Sequence, residues 1–94
     1  MAIRRVELSL KAQKDIRRLP KYIVEKLQEW VQAVEEHTLE QVRRLPGYHD
    51  EPLKGQRSGE RSIRLSRGYR AIYNIKKDGS IKFVSVEEVN LHNY

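Results

Sequence analysis

The sequence predicts an α+β fold in which two or three N-terminal helices pack on a twisted antiparallel sheet, in the order β-α-α-(α)-β-β-β. Three observations predict it. Apolar residues recur at helical spacing through the first half of the chain. From Ser62 onward the pattern changes to alternation of period two, rich in β-branched and aromatic residues. Asp78-Gly79 then separates two such runs, as a hairpin turn does. Helices followed by a strand meander can bury their apolar stripes against one sheet face. Ninety-four residues allow one domain, expected over residues 1–94.

The elements follow in order. Val6, Leu8 and Leu10 alternate with Arg5, Glu7 and Ser9, a short first strand. Ser9 is placed to cap a helix over residues 10–19, with Ala12, Ile16 and Leu19 on one face. Pro20 ends that helix and suits the start of the next. Ile23, Leu27, Trp30, Val31 and Val34 recur every three or four residues, which predicts a helix over 21–36 with Trp30 in the core. Thr38 and Gln41 have the spacing of a capping box for a brief third helix over 39–45. Pro46-Gly47 breaks it and opens a loop through about Arg57. Ile63 and Leu65 then alternate with Ser62, Arg64 and Ser66, and Arg67-Gly68 forms a turn. Residues 69–75 and 82–89 complete the meander, with Tyr69 and Tyr73 packing on one strand face. The last strand is expected to end near Val89, so that residues 90–94 turn back over the sheet.

Charge is unevenly placed along the chain. The net charge is +6, and residues 54–70 hold six bases against the single acid Glu60. Five of those six bases are Arg, whose planar fork pairs with phosphate in two places at once. The first twenty-one residues carry seven bases and two acids, whereas residues 22–51 carry three bases and seven acids. Such a face is either simply solvated or made for a polyanion, nucleic acid first. No apolar run has the roughly 18 residues of a membrane span, and no signal-peptide core follows Met1. A cytoplasmic protein that engages no membrane is expected. The absence of Cys excludes a disulfide scaffold, thiolate zinc sites and a Cys nucleophile.

No metal or cofactor motif is visible. His37, His49 and His92 stand apart, and there is no HExxH, phosphate-binding Gly-rich loop or GxSxG. What remains is a loop with His49, Asp50, Glu51 and Lys54, an Arg-rich meander, and a tail with His92 and Tyr94. A metal-free ribonuclease can use such a set, because RNA supplies its own nucleophile in the 2′-OH. The protein must take that proton, balance charge on the crowded phosphate and protonate the leaving 5′-oxygen.

The order and spacing of several segments resemble the RelE/ParE superfamily of bacterial toxins. They are Glu51-Pro-Leu-Lys-Gly, Ser58-Gly59, Ser62-Ile-Arg-Leu, Tyr69-Arg-Ala-Ile-Tyr and the ending Glu88-Val-Asn-Leu-His-Asn-Tyr. The opening Leu8-Ser-Leu-Lys-Ala-Gln-Lys-Asp-Ile-Arg-Arg-Leu is similar to the family's first helix, so the likeness spans nearly the whole chain. In motif it stands closest to the YoeB-like and HigB-like branches. The resemblance implies two N-terminal helices on a twisted antiparallel sheet, and a toxin of a type II toxin–antitoxin pair. Its activity would be metal-independent, ribosome-dependent mRNA cleavage leaving a 2′,3′-cyclic phosphate.

The same resemblance implies roles for single residues. Glu51 would be the base, Arg70 with Lys54 would stabilise the transition state, and His92 would be acid or orienter. Tyr94 would stack on a base or position the backbone. Asn93 separates His92 from Tyr94, whereas the two are adjacent in YoeB-like tails. Arg57, Arg61, Arg64 and Arg67 would bind phosphates of mRNA or ribosomal RNA. The implied partners are a cognate antitoxin, mRNA and the ribosome, with operator DNA reached only through the antitoxin. A gyrase-inhibiting toxin of the ParE kind is the alternative within the same fold, and an inactive RNA- or protein-binding module is another.

Overall fold

The computed structural model describes residues 2–91. A strand, β1 (Val6–Leu8), leads into helix α1 (Leu10–Ile16), followed by α2 (Lys21–His37) and α3 (Leu39–Val42). Strands β2 (Glu51–Pro52), β3 (Arg61–Arg64), β4 (Tyr69–Asp78) and β5 (Ile81–Leu91) complete the chain. The five strands form one sheet in the order β1-β5-β4-β3-β2. It is antiparallel except at β1, which pairs in parallel with β5, Val6 opposite Val84 and Leu8 opposite Val86. The α+β architecture is therefore as the sequence predicts, with one parallel pair added at the edge.

The capping signals act as expected. The Ser9 hydroxyl accepts from Ala12 N at 3.0 Å and starts α1. Pro20 stands immediately before α2, and the Thr38 hydroxyl accepts from Gln41 N at 3.3 Å at the head of α3. Helix α1 stops at Ile16, three residues short of the expected end, because residues 17–19 tighten into i→i+3 turns before Pro20. Helix α3 likewise ends at Val42 rather than residue 45. The hairpin between β4 and β5 closes around Gly79 and Ser80, and Gly79 has the positive φ, 62°, that the first position of such a loop requires.

Helices α1 to α3 cover one sheet face. Trp30 and Tyr73 form the centre, fully buried with ring centroids 5.3 Å apart. Ile23, Leu27 and Val34 from α2 meet Ile63, Ala71, Val84 and Val86 from the sheet. The core face of β5 runs Val84, Val86 and then Val89, which breaks strict alternation. A β-bulge is the cause: Tyr73 pairs with Val86 and Ile72 with Glu88, so Glu87 has no register partner. The extra residue turns Val89 inward and sends Glu88 and Asn90 to the open face. Helix α1 supplies the hydrogen bonds the bulge leaves unmade. The Ser9 hydroxyl donates to the Glu87 carbonyl at 2.8 Å, and Val89 N donates to the Asp15 carboxylate at 3.0 Å.

Two further expectations need correction. The loop expected between Pro46 and about Arg57 contains a two-residue strand, β2, which pairs Glu51 with Ser62 and Pro52 with Arg61. The last strand does not end near Val89 but continues to Leu91, because Arg70 pairs with Asn90 and Tyr69 with Leu91. Asn90 and Leu91 therefore do not turn back over the sheet. His92 and Tyr94 lie outside the described residues. None of the described helices is long and apolar enough to cross a membrane.

Candidate anion-binding cleft

The sheet face away from the helices carries the candidate site. Arg64 on β3 pairs directly with Arg70 on β4. Two like charges facing each other across a strand pair work against the sheet, so the fold itself gains nothing from this arrangement. His49, Glu51, Ser62, Arg64, Tyr69 and Arg70 line one open cleft on this face. Residues far apart in sequence thus place one carboxylate and two guanidinium groups around a common space. Its chemistry suits an anion that also presents a removable proton.

Arg70 is held from one side. Its Nε donates to Asn90 Oδ1 at 3.2 Å, and Asn90 Nδ2 donates to Glu88 at 3.1 Å. The other Glu88 oxygen accepts from Arg57, which also reaches Glu60 at 3.3 Å. The β5 bulge makes this relay possible, since it brings Glu88 and Asn90 to the face of Arg70. With Nε engaged, the two terminal nitrogens of Arg70 are the end of the fork left to meet a ligand.

Glu51 is held through its neighbour. His49 adopts a left-handed conformation (φ 47°, ψ 50°) after the 3₁₀ turn Pro46–Tyr48, and the chain reverses there. The Asp50 side chain turns inward, only 1% exposed. It accepts from Arg61 Nε at 2.6 Å and from the Tyr73 hydroxyl at 2.5 Å. Asp50 therefore ties the loop to β3 and β4, and Glu51 follows it directly into β2. Burial, and then donation to Asp50, push the Tyr73 phenol far above the ordinary tyrosine value of about 10. The native protein keeps that proton at alkaline pH where the unfolded chain loses it, so the unfolded state binds fewer protons. Stability is then fully present below about pH 10 and falls as pH rises past it. Unfolding free energies measured from about pH 8 to 11 should show this loss, and Tyr73→Phe should flatten it.

The residues expected from sequence divide accordingly. Glu51, Arg64 and Arg70 meet in the cleft. Arg61 lies on the helix-covered side, opposite Tyr73, and is engaged by Asp50. Arg57 is engaged by Glu60 and Glu88. Arg67 is exposed in the β3–β4 turn, and Lys54 is exposed just before the 3₁₀ turn Gly55–Arg57. Asp50 was noted in the loop but without a role, and Asn90 and Glu88 were not expected in the site. The irregular spacing of Val84, Val86 and Val89 was the only sequence sign of the bulge that recruits the last two. Among the described residues, no three His, Asp or Glu side chains gather into a metal-holding group.

Taken together, fold and cleft define a small helix-covered sheet protein with an open cleft lined by two arginines and a carboxylate. Residues 6–88 match the family model for the ParE toxin of type II toxin-antitoxin system, parDE, and the chain belongs to that family. A search of curated protein sequences gives no match. Solved structures share the fold. The YoeB/ParE toxin from Agrobacterium tumefaciens is 23% identical, with 95% of this chain and 99% of that one covered at a TM-score of 0.67. YafQ from E. coli is 20% identical, with 95% and 93% covered and a TM-score of 0.72. A chain of the toxin-antitoxin complex RelBE2 from Mycobacterium tuberculosis is 22% identical, with 96% and 99% covered and a TM-score of 0.68. The superfamily resemblance read from the sequence is thereby established.

Proposed function

We propose that this toxin is a cytoplasmic endoribonuclease that cuts mRNA on the ribosome. The observation that carries the reading is the convergence of Glu51, Arg64 and Arg70 on one cleft. Glu51 takes the proton of the 2′-OH as its oxygen attacks the adjacent phosphorus. Arg70 and Arg64 balance the charge that builds on the phosphate oxygens, with Lys54 nearby in sequence on the same loop. The bond to the 5′-oxygen breaks, His92 is assigned to protonate that oxygen, and the product ends in a 2′,3′-cyclic phosphate. Tyr94 is assigned to hold a base by stacking. General acid–base steps give roughly 10²–10⁴-fold each, so ribosomal positioning must provide much of the remaining rate. The cognate antitoxin is the protein partner, and it silences the toxin by covering the same face.

Arg70 depends on Asn90 for its orientation in this scheme. A hydrogen bond to a charged group is worth about 1.5–3 kcal/mol, so Asn90→Ala should slow cleavage by about tenfold or more. Asn90→Asp keeps an acceptor for Arg70 Nε and should lose less. Single-turnover rates of the two variants on one programmed ribosome preparation check this, and equal rates for Asn90→Ala and wild type would contradict the role.

A second reading rests on the family model itself, which is that of the ParE toxin. There the toxin inhibits gyrase and performs no chemistry on RNA. Induction of the toxin in bacteria separates the two. Mapped new mRNA ends within coding regions support the nuclease, whereas gyrase-dependent DNA breaks with intact mRNA support the alternative.

A further inference from the structure

The nuclease reading leaves the path of the RNA on either side of the cut unassigned. Of the arginines the sequence nominated for it, Arg57 and Arg61 are occupied by carboxylates of this chain. Two other arginines lie beside the cleft, past the end of α3. A second groove, lined by Arg43, Arg44, Leu45 and Pro46 at the end of α3, also contains His49 and Glu51. Those two residues belong to the cleft as well, so groove and cleft adjoin at the left-handed turn of His49. Both Arg43 and Arg44 are exposed, and among the described residues neither forms an ion pair. Three acids stand nearby, and of these Glu51 is the cleft's own carboxylate. Asp50 faces inward to Arg61 and Tyr73, and Glu40 accepts from Ile3 N at 3.1 Å. Leu45, about half exposed, offers an apolar surface beside the two cations.

We infer that Arg43 and Arg44 form a subsite for RNA backbone phosphate, one that receives the nucleotides flanking the phosphate held at Arg64 and Arg70. The inference rests on the nuclease reading and extends it to the substrate strand. Sequence composition conceals it, because the two arginines stand in the acidic stretch 22–51. Arg is suited to the task, since its fork stays charged and meets phosphate in two places. Leu45 and Pro46 can carry the sugar or base between two phosphate contacts.

The test compares wild type with an Arg43→Ala/Arg44→Ala double variant. Two probes are used: a single-stranded oligoribonucleotide with all 2′-hydroxyls methylated, which binds without being cut, and ribosomes carrying mRNA. Each phosphate contact to a single strand contributes about 0.7 to the log–log salt slope, so the double variant should bind the oligonucleotide with a slope shallower by about 1.4. Its KM for mRNA cleavage should rise, while the rate at saturation should stay within about twofold, because neither arginine touches the reacting phosphate. A change of slope on ribosomes alone would assign the subsite to ribosomal RNA phosphate rather than to the substrate strand. Unchanged slopes on both probes overturn the inference. Failure of the nuclease reading shows separately, as wild-type protein that binds these probes but cuts no mRNA.

Discussion

Arg70→Ala is expected to lower mRNA cleavage by about 10²–10³-fold with the fold intact, on the scale of losing one charge-stabilising donor from an active site. The side chain lies on the open face, half-buried, and its one described partner is Asn90. Its removal relieves the repulsion with Arg64 across the strand pair, so folding should lose little. Thermal unfolding of the variant should match wild type within a few degrees while single-turnover cleavage collapses. A folded Arg70→Ala protein that cuts at the wild-type rate would remove Arg70 from the chemistry.

Asp50→Ala should act in the opposite way, on stability first. It strips the half-buried Arg61 guanidinium and the Tyr73 hydroxyl of their shared acceptor. Breaking a buried pair from one side costs about 3–5 kcal/mol. Arg61 is 22% exposed, which places the expected loss near the lower end. A domain of this size loses about 4–8 °C of Tm per kcal/mol, so the midpoint should fall by more than about 10 °C. Asp50→Asn retains an acceptor and should lose about half as much. Cleavage by the part of Asp50→Asn that stays folded should also drop, since Asp50 fixes the loop that carries Glu51. A midpoint within about 2 °C of wild type for Asp50→Ala would show that the tie carries no weight.

These two residues mark what the sequence shows and what it hides. Alternation along residues 69–75 puts Arg70 on the polar phase, beside the equally polar Arg64. Its proposed role comes from the resemblance of Tyr69-Arg-Ala-Ile-Tyr to the family's strand. Ser9, Pro20, Thr38 and Gly79 were legible too, since caps and tight turns act through local geometry. Asp50 and Arg61 were not, because two charged residues eleven positions apart read as surface until the fold pairs them. Strand β2 has two residues, too few for any periodicity to register. The parallel pairing of β1 was equally hidden, because alternation reports which face is buried and not which way a neighbour runs. The continuation of β5 through Asn90 and Leu91 depends on the bulge at Glu87, whose effect on the last residues appears only once the register with β4 is set.

The central claim is that this cleft cuts RNA by attack of the 2′-OH. The most direct measurement is the end chemistry of mRNA recovered from purified ribosomes after exposure to wild-type protein. The account predicts upstream fragments ending in a 2′,3′-cyclic phosphate and downstream fragments beginning with a 5′-OH, both absent with Arg70→Ala. Intact mRNA, or fragments bearing a 3′-OH and a 5′-phosphate, would contradict it.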